Sequence, residues 1–254
     1  MIFVFDIDGT ICFDGKQIPM EIEQALEQLI ASSHQLIFAS ARPIRDLLPL
    51  LNTQLKQAIL IGGNGAITQI NQHLETKTPI SNTDFVYLQH WIDTFDLDYL
   101  VDDIWHYSKQ IRQPHPIEQQ IDPAKLAENR PLLALHNPIK TLLLNLSETQ
   151  YHTLKQHLEK RALNVITYHE KNQVFHLDIT AQGINKYRTL RTLIGDKKYI
   201  AFGNDLNDLM LLQHAQYSVC IGDVALLQSV TNTTLSCNPV QIAEKITQLI
   251  GSIP

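Results

Sequence analysis

Cysteine is rare in this chain of 254 residues, and its three copies, Cys12, Cys220 and Cys237, are far apart. No two of them form a Cys-x-x-Cys pair, so the sequence indicates neither a disulfide framework nor a zinc site. The chain opens on a strand-like apolar run that Asp6 interrupts, without the basic start and long apolar segment of a secretory signal. We therefore expect a protein of the reducing cytoplasm.

Long apolar runs and an excess of charge are also missing. No apolar stretch approaches the roughly 18 residues that a membrane span needs. Hydrophobic residues make up 44% of the chain and charged residues 18%, with a formal net charge of -6. This composition is typical of a soluble globular protein. The mild acidity argues against nucleic acid or an anionic membrane as a main partner.

Strands and helices alternate at both ends of the chain. The hydrophobic pattern predicts strands at 2–5, 35–39, 58–61, 199–202 and 218–221, and helices at 20–33, 44–51, 186–194, 208–214 and 240–250. Such alternation predicts βαβ units around a parallel sheet, hence the α/β class. Ligands of open α/β sheets bind at the carboxyl ends of the strands.

The alternation breaks near Pro79, and a different pattern follows. It predicts helices at 84–95 and 148–161 and strands at 99–107, 141–146 and 174–179. The second helix follows Ser147 with Gln150 three residues on, the capping-box pattern. We interpret 81–182 as an inserted α+β domain and 1–80 with 183–254 as a discontinuous core.

The first predicted strand ends on Asp6-Ile7-Asp8-Gly9-Thr10. Residues i and i+2 of an extended segment point the same way, so Asp6 and Asp8 can converge at the mouth of the sheet. An aspartate can attack a phosphoryl group, and a second one can protonate the leaving oxygen and then activate water. The alternative is an ordinary strand-to-turn exit, where Asp and Gly are common.

Ser40 and Arg42 follow the next predicted strand. The hydroxyl could bind a phosphate oxygen beside a helix start, although a Ser there is also an ordinary cap. Arg42 could reach a substrate anion or simply be solvated. Lys186 lies in the first turn of its predicted helix, where its charge opposes the helix dipole unless an anion is near. A phosphate would supply that anion, and an exposed lysine is the alternative.

The segment from Gly203 to Asp208 ends a predicted strand and opens a helix. Asp205 and Asp208 share a face there and repel one another unless a cation intervenes. Asp and Asn oxygens suit Mg²⁺, although both residue types are also common in first turns. A phosphate dianion facing Asp6, Asp8 and Asp208 would come near charge balance only with a divalent cation and Lys186.

These motifs, in this order, resemble those of the haloacid dehalogenase-like hydrolases. Asn64-Gly65-Ala66 and the position of the insert between Ser40 and Lys186 are similar to the Cof-type phosphatases of subfamily IIB, which carry an α+β cap. The resemblance implies a Rossmannoid three-layer core with a parallel sheet, an inserted cap at 81–182, and Mg²⁺. It also implies hydrolysis of a phosphomonoester through an aspartyl-phosphate.

The resemblance also implies roles for single residues. Asp6 would be nucleophile and metal ligand, and Asp8 would be acid/base and bind the metal through its carbonyl. Asp208 would lie in or just outside the metal shell. The expected phosphate-binding residues are Ser40, Lys186 and Asn207, and the expected substrate-binding residues are Arg42 and Asn64.

One position departs from the family pattern. The usual motif is Gly-Asp-x-x-Asn-Asp, and here Asn204 replaces the first Asp, with Asp205 after it. Either Asn204 or Asp205 could bind the metal, and a neutral ligand should weaken Mg²⁺ binding.

The resulting hypothesis is a Mg²⁺-dependent phosphatase of a small phosphorylated metabolite, such as a sugar phosphate. Two alternatives stay open: a hexose phosphomutase, and a non-catalytic phosphate-binding regulatory module, which the Asn204 departure would suit. A mutase needs several basic groups in its cap, and those present are scattered: Lys109, Arg112, Arg130, Lys140 and Arg161.

Overall fold

A computed structural model of the protein describes residues 1–169 and 174–252. The chain forms two compact units, Met1–Leu74 with Asn185–Pro254 and Glu75–Ile184. Residues 170–173 of the predicted inserted domain and 253–254 of the predicted core lie outside the described residues.

The strands, in chain order, are β1 (Ile2–Phe5), β2 (Gln35–Ala39), β3 (Ile59–Gly62), β4 (Ile67–Ile70), β5 (His73–Thr76), β6 (Asp98–Asp102), β7 (Tyr107–Gln110), β8 (Lys140–Leu146), β9 (Leu163–His169), β10 (Phe175–Ala181), β11 (Tyr199–Gly203), β12 (Tyr217–Ile221) and β13 (Thr233–Leu235). The α-helices are α1 (Met20–Ala31), α2 (Ile44–Leu47), α3 (Asn82–Phe95), α4 (Glu148–Leu158), α5 (Lys186–Ile194), α6 (Leu209–Gln213), α7 (Ala225–Gln228) and α8 (Pro239–Gly251). None of the helices in the described ranges has the length and apolar character that a membrane crossing requires.

The first sheet has the strand order β13-β12-β11-β1-β2-β3-β4-β5 in the described residues. From β13 to β3 all neighbouring strands are parallel, which confirms the α/β class and the parallel sheet expected from the alternation. The central strand β1 is buried along its whole length, because helices cover both faces of such a sheet. This explains why its sequence is an unbroken apolar run rather than an alternating one.

The hairpin of β4 and β5 was not predicted. Its turn residues Asn71 and Gln72 both have positive φ, 48° and 65°, the left-handed geometry of a tight hairpin turn. Such a turn usually contains Gly, and with Gln72 at that position the sequence does not indicate a turn. Pairing of β3 with β4 is antiparallel, so this edge departs from the parallel pattern.

Two predicted helices each consist of a short α-helix joined to a 3₁₀ turn. The helix predicted at 44–51 is α2 followed by a 3₁₀ turn at Leu48–Leu50, where Pro49 cannot donate to an α-helical ladder. The helix predicted at 208–214 is a 3₁₀ turn at Leu206–Asp208 followed by α6. Helix α5 has the predicted bounds and begins after Asn185, whose side chain caps it.

The second unit contains a five-stranded sheet of order β7-β6-β8-β10-β9 in the described residues. The pairings within it are antiparallel. The strand predicted at 99–107 is two strands, β6 and β7, and β9 was not predicted. The capping box of α4 is present as expected, with Ser147 and Gln150 bonded reciprocally. Helices α3 and α4 contribute to an apolar core that includes Phe85, Leu88 and Leu154.

Candidate active site

Polar side chains follow four neighbouring parallel strands of the first sheet, β11, β1, β2 and β3. Asp6 comes directly after β1, Ser40 after β2 and Asn204 after β11, while Asn64 lies two residues beyond β3. Because the carboxyl ends of parallel strands meet at one edge, the topology brings these residues to the same edge of the sheet. Lys186 joins them from the first turn of α5.

The centre of this group is a buried cluster of two carboxylates and one ammonium. Lys186 Nζ donates to Asp6 Oδ1 at 2.6 Å and to Asp208 Oδ1 at 2.7 Å. The three side chains are between 0% and 6% exposed. The anions that the sequence required near Lys186 are therefore present within the protein, as two aspartates.

Burial and charge set the protonation behaviour of this cluster. Burial, followed by repulsion from Asp208, raises the pKa of Asp6 to about 7, although Lys186 and the Thr10 hydroxyl act in the opposite direction. Burial disfavours the Lys186 ammonium, but the charges and hydrogen bonds of Asp208 and Asp6 outweigh it and raise the pKa of Lys186. Lys186 thus stays cationic, and an ionised Asp6 is energetically costly without a further cation.

Asp208 organises the turn between β11 and α6. Its Oδ2 accepts from the backbone N–H groups of Asn204 at 3.0 Å and Asp205 at 3.2 Å. Gly203 makes this approach possible, since a Cβ there would lie 2.7 Å from the Asp208 Cβ. Lys186 and these N–H groups relieve the repulsion expected between Asp205 and Asp208.

Asp205 and Asn204 have different surroundings. The Asp205 carboxylate accepts from the N–H of Leu206 at 2.7 Å and caps the following turn. Asn204 Oδ1 instead lies 3.0 Å from Thr10 Oγ1, which also donates to Asp6 Oδ2 at 2.8 Å. The structure therefore brings Asn204 to Asp6, whereas Asp205 serves the helix start.

Thr10 and Gly9 are site residues to which the sequence analysis assigned no role. Thr10 is fully buried and connects Asp6 with Asn204. Gly9 has φ +76°, and a Cβ there would lie 2.2 Å from the Asn204 amide nitrogen, so both conformation and space require glycine. Their position within the Asp-x-Asp-Gly-Thr motif was the available signal.

Asp8 takes a partner of its own. Arg42 Nε donates to Asp8 Oδ2 at 2.7 Å and Arg42 Nη2 donates to Asp8 Oδ1, a bidentate ion pair. Arg42 is 7% exposed and is not the solvated residue of the alternative interpretation. Burial opposes its charge, but the hydrogen bond and charge of Asp8 outweigh burial and raise the pKa of Arg42. The Arg42 backbone N–H donates to Ser40 Oγ at 3.0 Å, so the main chain of Arg42 contacts the serine while its side chain binds Asp8.

A chain of amides extends from Lys186 toward β3. Lys186 Nζ donates to Asn207 Oδ1, and Asn207 Nδ2 donates to Asn64 Oδ1, each at 3.3 Å. Asn64 lies in a turn with φ 55°, and its own backbone N–H donates to the Ser40 carbonyl at 3.1 Å. Three residues expected to bind phosphate or substrate are thus in one hydrogen-bonded series.

The donor set suits Mg²⁺ better than a transition metal. No group of three or more His, Cys, Asp or Glu side chains that could hold a metal is found among residues 1–169 and 174–252. Mg²⁺ does not need such a group, since it commonly takes one or two carboxylates and fills its shell with water and phosphate oxygens. The Asp6 and Asn204 oxygens, both within hydrogen-bond distance of Thr10 Oγ1, provide hard ligands of that kind.

Five basic residues of the second unit, those considered above for a mutase, are already engaged. Each forms an ion pair with a carboxylate of the same unit: Lys109 with Glu118, Arg112 with Asp96 and Asp98, Arg130 with Glu128, Lys140 with Asp178, and Arg161 with Asp84. These pairings weaken the case for a mutase, which needs basic groups free to hold a phosphosugar in two orientations.

Known proteins resemble this chain along nearly all of its length. It is 21% identical over 263 residues to the 5-amino-6-(5-phospho-D-ribitylamino)uracil phosphatase YitU of Bacillus subtilis, covering 93% of this chain and 92% of that protein. A solved haloacid dehalogenase-like hydrolase from Bacteroides thetaiotaomicron superposes with a TM-score of 0.82 at 19% identity, with 98% of each chain covered. The subclass IIB sugar phosphatase BT4131 gives a TM-score of 0.73 at 19% identity over 99% of each chain.

The family profile of the haloacid dehalogenase-like hydrolases matches residues 3–238. This span includes every residue of the Asp6, Ser40, Lys186 and Asp208 motifs and confirms the resemblance inferred from them. The protein is therefore a member of the haloacid dehalogenase-like hydrolase family.

Proposed function

We propose that the protein is a Mg²⁺-dependent phosphomonoesterase that hydrolyses a small phosphorylated metabolite through an aspartyl-phosphate on Asp6. The observation that carries this proposal is the buried Asp6 carboxylate, held at the end of β1 by Lys186 and the Thr10 hydroxyl. Two bonds from different directions fix the carboxylate, and a fixed nucleophile needs little reorganisation before it attacks.

Each step can be assigned to a residue of the chain. An Asp6 oxygen attacks phosphorus, the bond to the leaving oxygen breaks, and Asp8 in its acid form gives that oxygen a proton. Asp8 then takes a proton from water, whose oxygen attacks the aspartyl-phosphate, so that free phosphate and the Asp6 carboxylate are released. Lys186, Asn207 and the Ser40 hydroxyl are proposed to bind the phosphate oxygens.

Charge balance supports the need for a divalent cation. Asp6, Asp208 and Lys186 carry one net negative charge together when Asp6 is ionised, and a phosphate dianion would add two more. Asp6, Asn204 and the Asp8 carbonyl are proposed to hold Mg²⁺, with Asp208 outside its shell because Lys186 and two N–H groups occupy its oxygens. When bound, the ion would neutralise charge that develops on the phosphoryl group.

The names of two relatives support a proposal for the substrate class. One is named a phosphatase of a phosphorylated ribitylamino-uracil and another a sugar phosphatase, so a phosphorylated polyol or sugar is our proposed class. The inserted Glu75–Ile184 unit would be the cap that selects among such esters, and a cytoplasmic location would suit them.

The test of this function is release of inorganic phosphate from a panel of sugar phosphates, nucleotides and p-nitrophenyl phosphate. We expect hydrolysis with Mg²⁺ and its loss when EDTA removes the ion, because the carboxylates then repel the substrate. Formation of an isomeric sugar phosphate instead of free phosphate would favour the mutase. Failure on the whole panel at saturating Mg²⁺ would favour the regulatory module.

Asn204→Asp should increase affinity for Mg²⁺. The substitution exchanges a neutral oxygen ligand for a charged one, and we expect the Kd for Mg²⁺ to fall about tenfold, which is roughly 1.4 kcal/mol. Isothermal titration calorimetry without substrate measures this directly. Asp205→Asn is the matched control and should leave the Kd nearly unchanged, since Asp205 caps the turn. The reverse ranking would show that Asp205 is the ligand.

A further inference from the structure

The bidentate pair of Asp8 and Arg42 conflicts with the chemistry assigned to Asp8. Both Asp8 carboxylate oxygens accept hydrogen bonds from Arg42, at Nε and Nη2. An acid that protonates a leaving group, and a base that takes a proton from water, each need an accessible oxygen. The guanidinium therefore competes with the leaving group and with water for these oxygens, and the paired state hinders both steps.

Arg42 holds more than the carboxylate. Its Nη2 also donates to the Gly15 carbonyl at 3.0 Å, so one guanidinium joins both ends of the segment from Asp8 to Gly15. The Asp8 side chain is 39% exposed, whereas that of Arg42 is 6% exposed. The carboxylate is thus the partner that solvent and ligands can reach, and the guanidinium is the one enclosed by protein.

One donor of Arg42 is not used. Nη1 is buried and has no hydrogen-bond partner within the described part of the chain. Buried donors are nearly always satisfied, so an unsatisfied one at a site suggests a ligand acceptor. A guanidinium that leaves a carboxylate also needs another anion, because a buried charge without a partner is unfavourable.

The neighbourhood of Arg42 indicates which anion this is. The Arg42 backbone N–H donates to Ser40 Oγ at 3.0 Å, and Ser40 is a proposed phosphate-binding residue. Phosphate offers several acceptor oxygens in the geometry that the guanidinium fork binds well.

Resting on the proposed function, we propose that Arg42 exchanges partners. Its guanidinium binds the Asp8 carboxylate in the free enzyme, as a clamp on that side chain, and moves to a phosphate oxygen when the substrate binds. The exchange breaks no covalent bond. It replaces one guanidinium–oxyanion pair by another and leaves Asp8 accessible for proton transfer. The Asp8–Arg42 pair thus hinders proton transfer by Asp8 until a phosphoryl group binds Arg42 in its place.

A double-mutant cycle on phosphate binding tests the exchange. The Kd of inorganic phosphate is measured by calorimetry at saturating Mg²⁺ for the wild type, Asp8→Asn, Arg42→Gln and the double variant. The proposed metal contact of Asp8 is its carbonyl, which Asp8→Asn retains. Since Asn binds the guanidinium less tightly, Asp8→Asn should tighten phosphate binding about tenfold when Arg42 is present and by less than about twofold in the Arg42→Gln background.

Equal tightening in both backgrounds would mean that Asp8 only repels phosphate, and it would overturn the exchange. So would no tightening with Arg42 present. If Arg42→Gln fails to fold by circular dichroism, Arg42→Lys replaces it, because an ammonium keeps the charge without the planar fork. In the Arg42→Lys background, Asp8→Asn should then lower the Kd of phosphate by less than about threefold. A decrease as large as in the presence of Arg42 would contradict the proposal.

The phosphatase proposal is tested separately in the same preparations. Phosphate binding needs no turnover, and hydrolysis of the panel of esters by the wild type is measured alongside it. Hydrolysis without coupling would end the exchange proposal alone. Coupling between Asp8 and Arg42 without hydrolysis of any ester would contradict the proposed function, while the exchange of Arg42 between Asp8 and phosphate would stand.

Discussion

Asp6→Asn should lower kcat by about 10⁴- to 10⁶-fold on every ester that the wild type hydrolyses, because an amide oxygen cannot form the aspartyl-phosphate. The change is nearly isosteric: the amide oxygen can keep the bond from Lys186, and the amide NH2 can donate to the Thr10 hydroxyl, which still has Asn204 Oδ1 to donate to. Phosphate release at saturating substrate and Mg²⁺ measures the effect. Comparable hydrolysis by the variant would end the nucleophile proposal.

The stability of the same variant separates lost chemistry from lost folding. The pKa of Asp6 is raised to about 7, from 3.8, so an ionised Asp6 destabilises the folded protein when no metal is bound. Well below the unfolded pKa of 3.8 the carboxyl is neutral in both folded and unfolded chains, and the two proteins should be equally stable. The advantage of Asp6→Asn should grow as pH rises from there to about 7 and then level off. Thermal unfolding in EDTA at several pH values measures this, and a variant less stable than the wild type at pH 8 would contradict the account.

Lys186→Met should destabilise the protein and abolish most of its activity. Met fills similar space but leaves Asp6 and Asp208 buried without a counter-charge. Removing one partner of a buried ion pair costs about 3–5 kcal/mol. The loss of a charged phosphate ligand should also lower kcat/KM by about 10²- to 10³-fold. Thermal unfolding and phosphate release measure the two effects.

The matched control for Lys186→Met is the double variant Lys186→Met/Asp208→Asn. It removes one of the two stranded carboxylates, so stability should recover in part while activity stays low. Full recovery of activity in the double variant would show that Lys186 only balances charge and does not bind phosphate. An unchanged melting temperature in Lys186→Met would show that the ion pairs of Lys186 contribute less to folding stability than their burial implies.

The sequence predicted most of the first unit because its elements are locally determined. Helix α5 carries its own cap and amphipathic pattern, and β1 is apolar throughout. Short strands were missed: β4, β5 and β13 have three or four residues each and become strands through their partners in the sheet. Strand β9 has seven residues with strand-favouring Val165, Ile166 and Thr167, so there the sequence signal was present and overlooked. The break between β6 and β7 was missed because Ile104, Trp105 and Tyr107 resume the apolar character after Asp102 and Asp103.

For the site, the sequence identified which residues to examine but not their partners. The order of motifs placed Asp6, Ser40 and Asn204 at strand ends, since topology follows from the alternation of elements. The pairing of Asp8 with Arg42, and the choice of Asn204 rather than Asp205 near Asp6, depend on side-chain directions in two turns. Those directions are set by long-range contacts that no local pattern encodes.

The most direct test of the central claim is to trap the covalent intermediate. The wild type is mixed with a hydrolysed ester and Mg²⁺, quenched in acid before the steady state, digested, and examined by mass spectrometry for a phosphorylated peptide. We expect a phosphoryl group on the peptide that contains Asp6, and none on that peptide of Asp6→Asn. A phosphoryl group on another residue, or active enzyme that never carries one on Asp6, would contradict it.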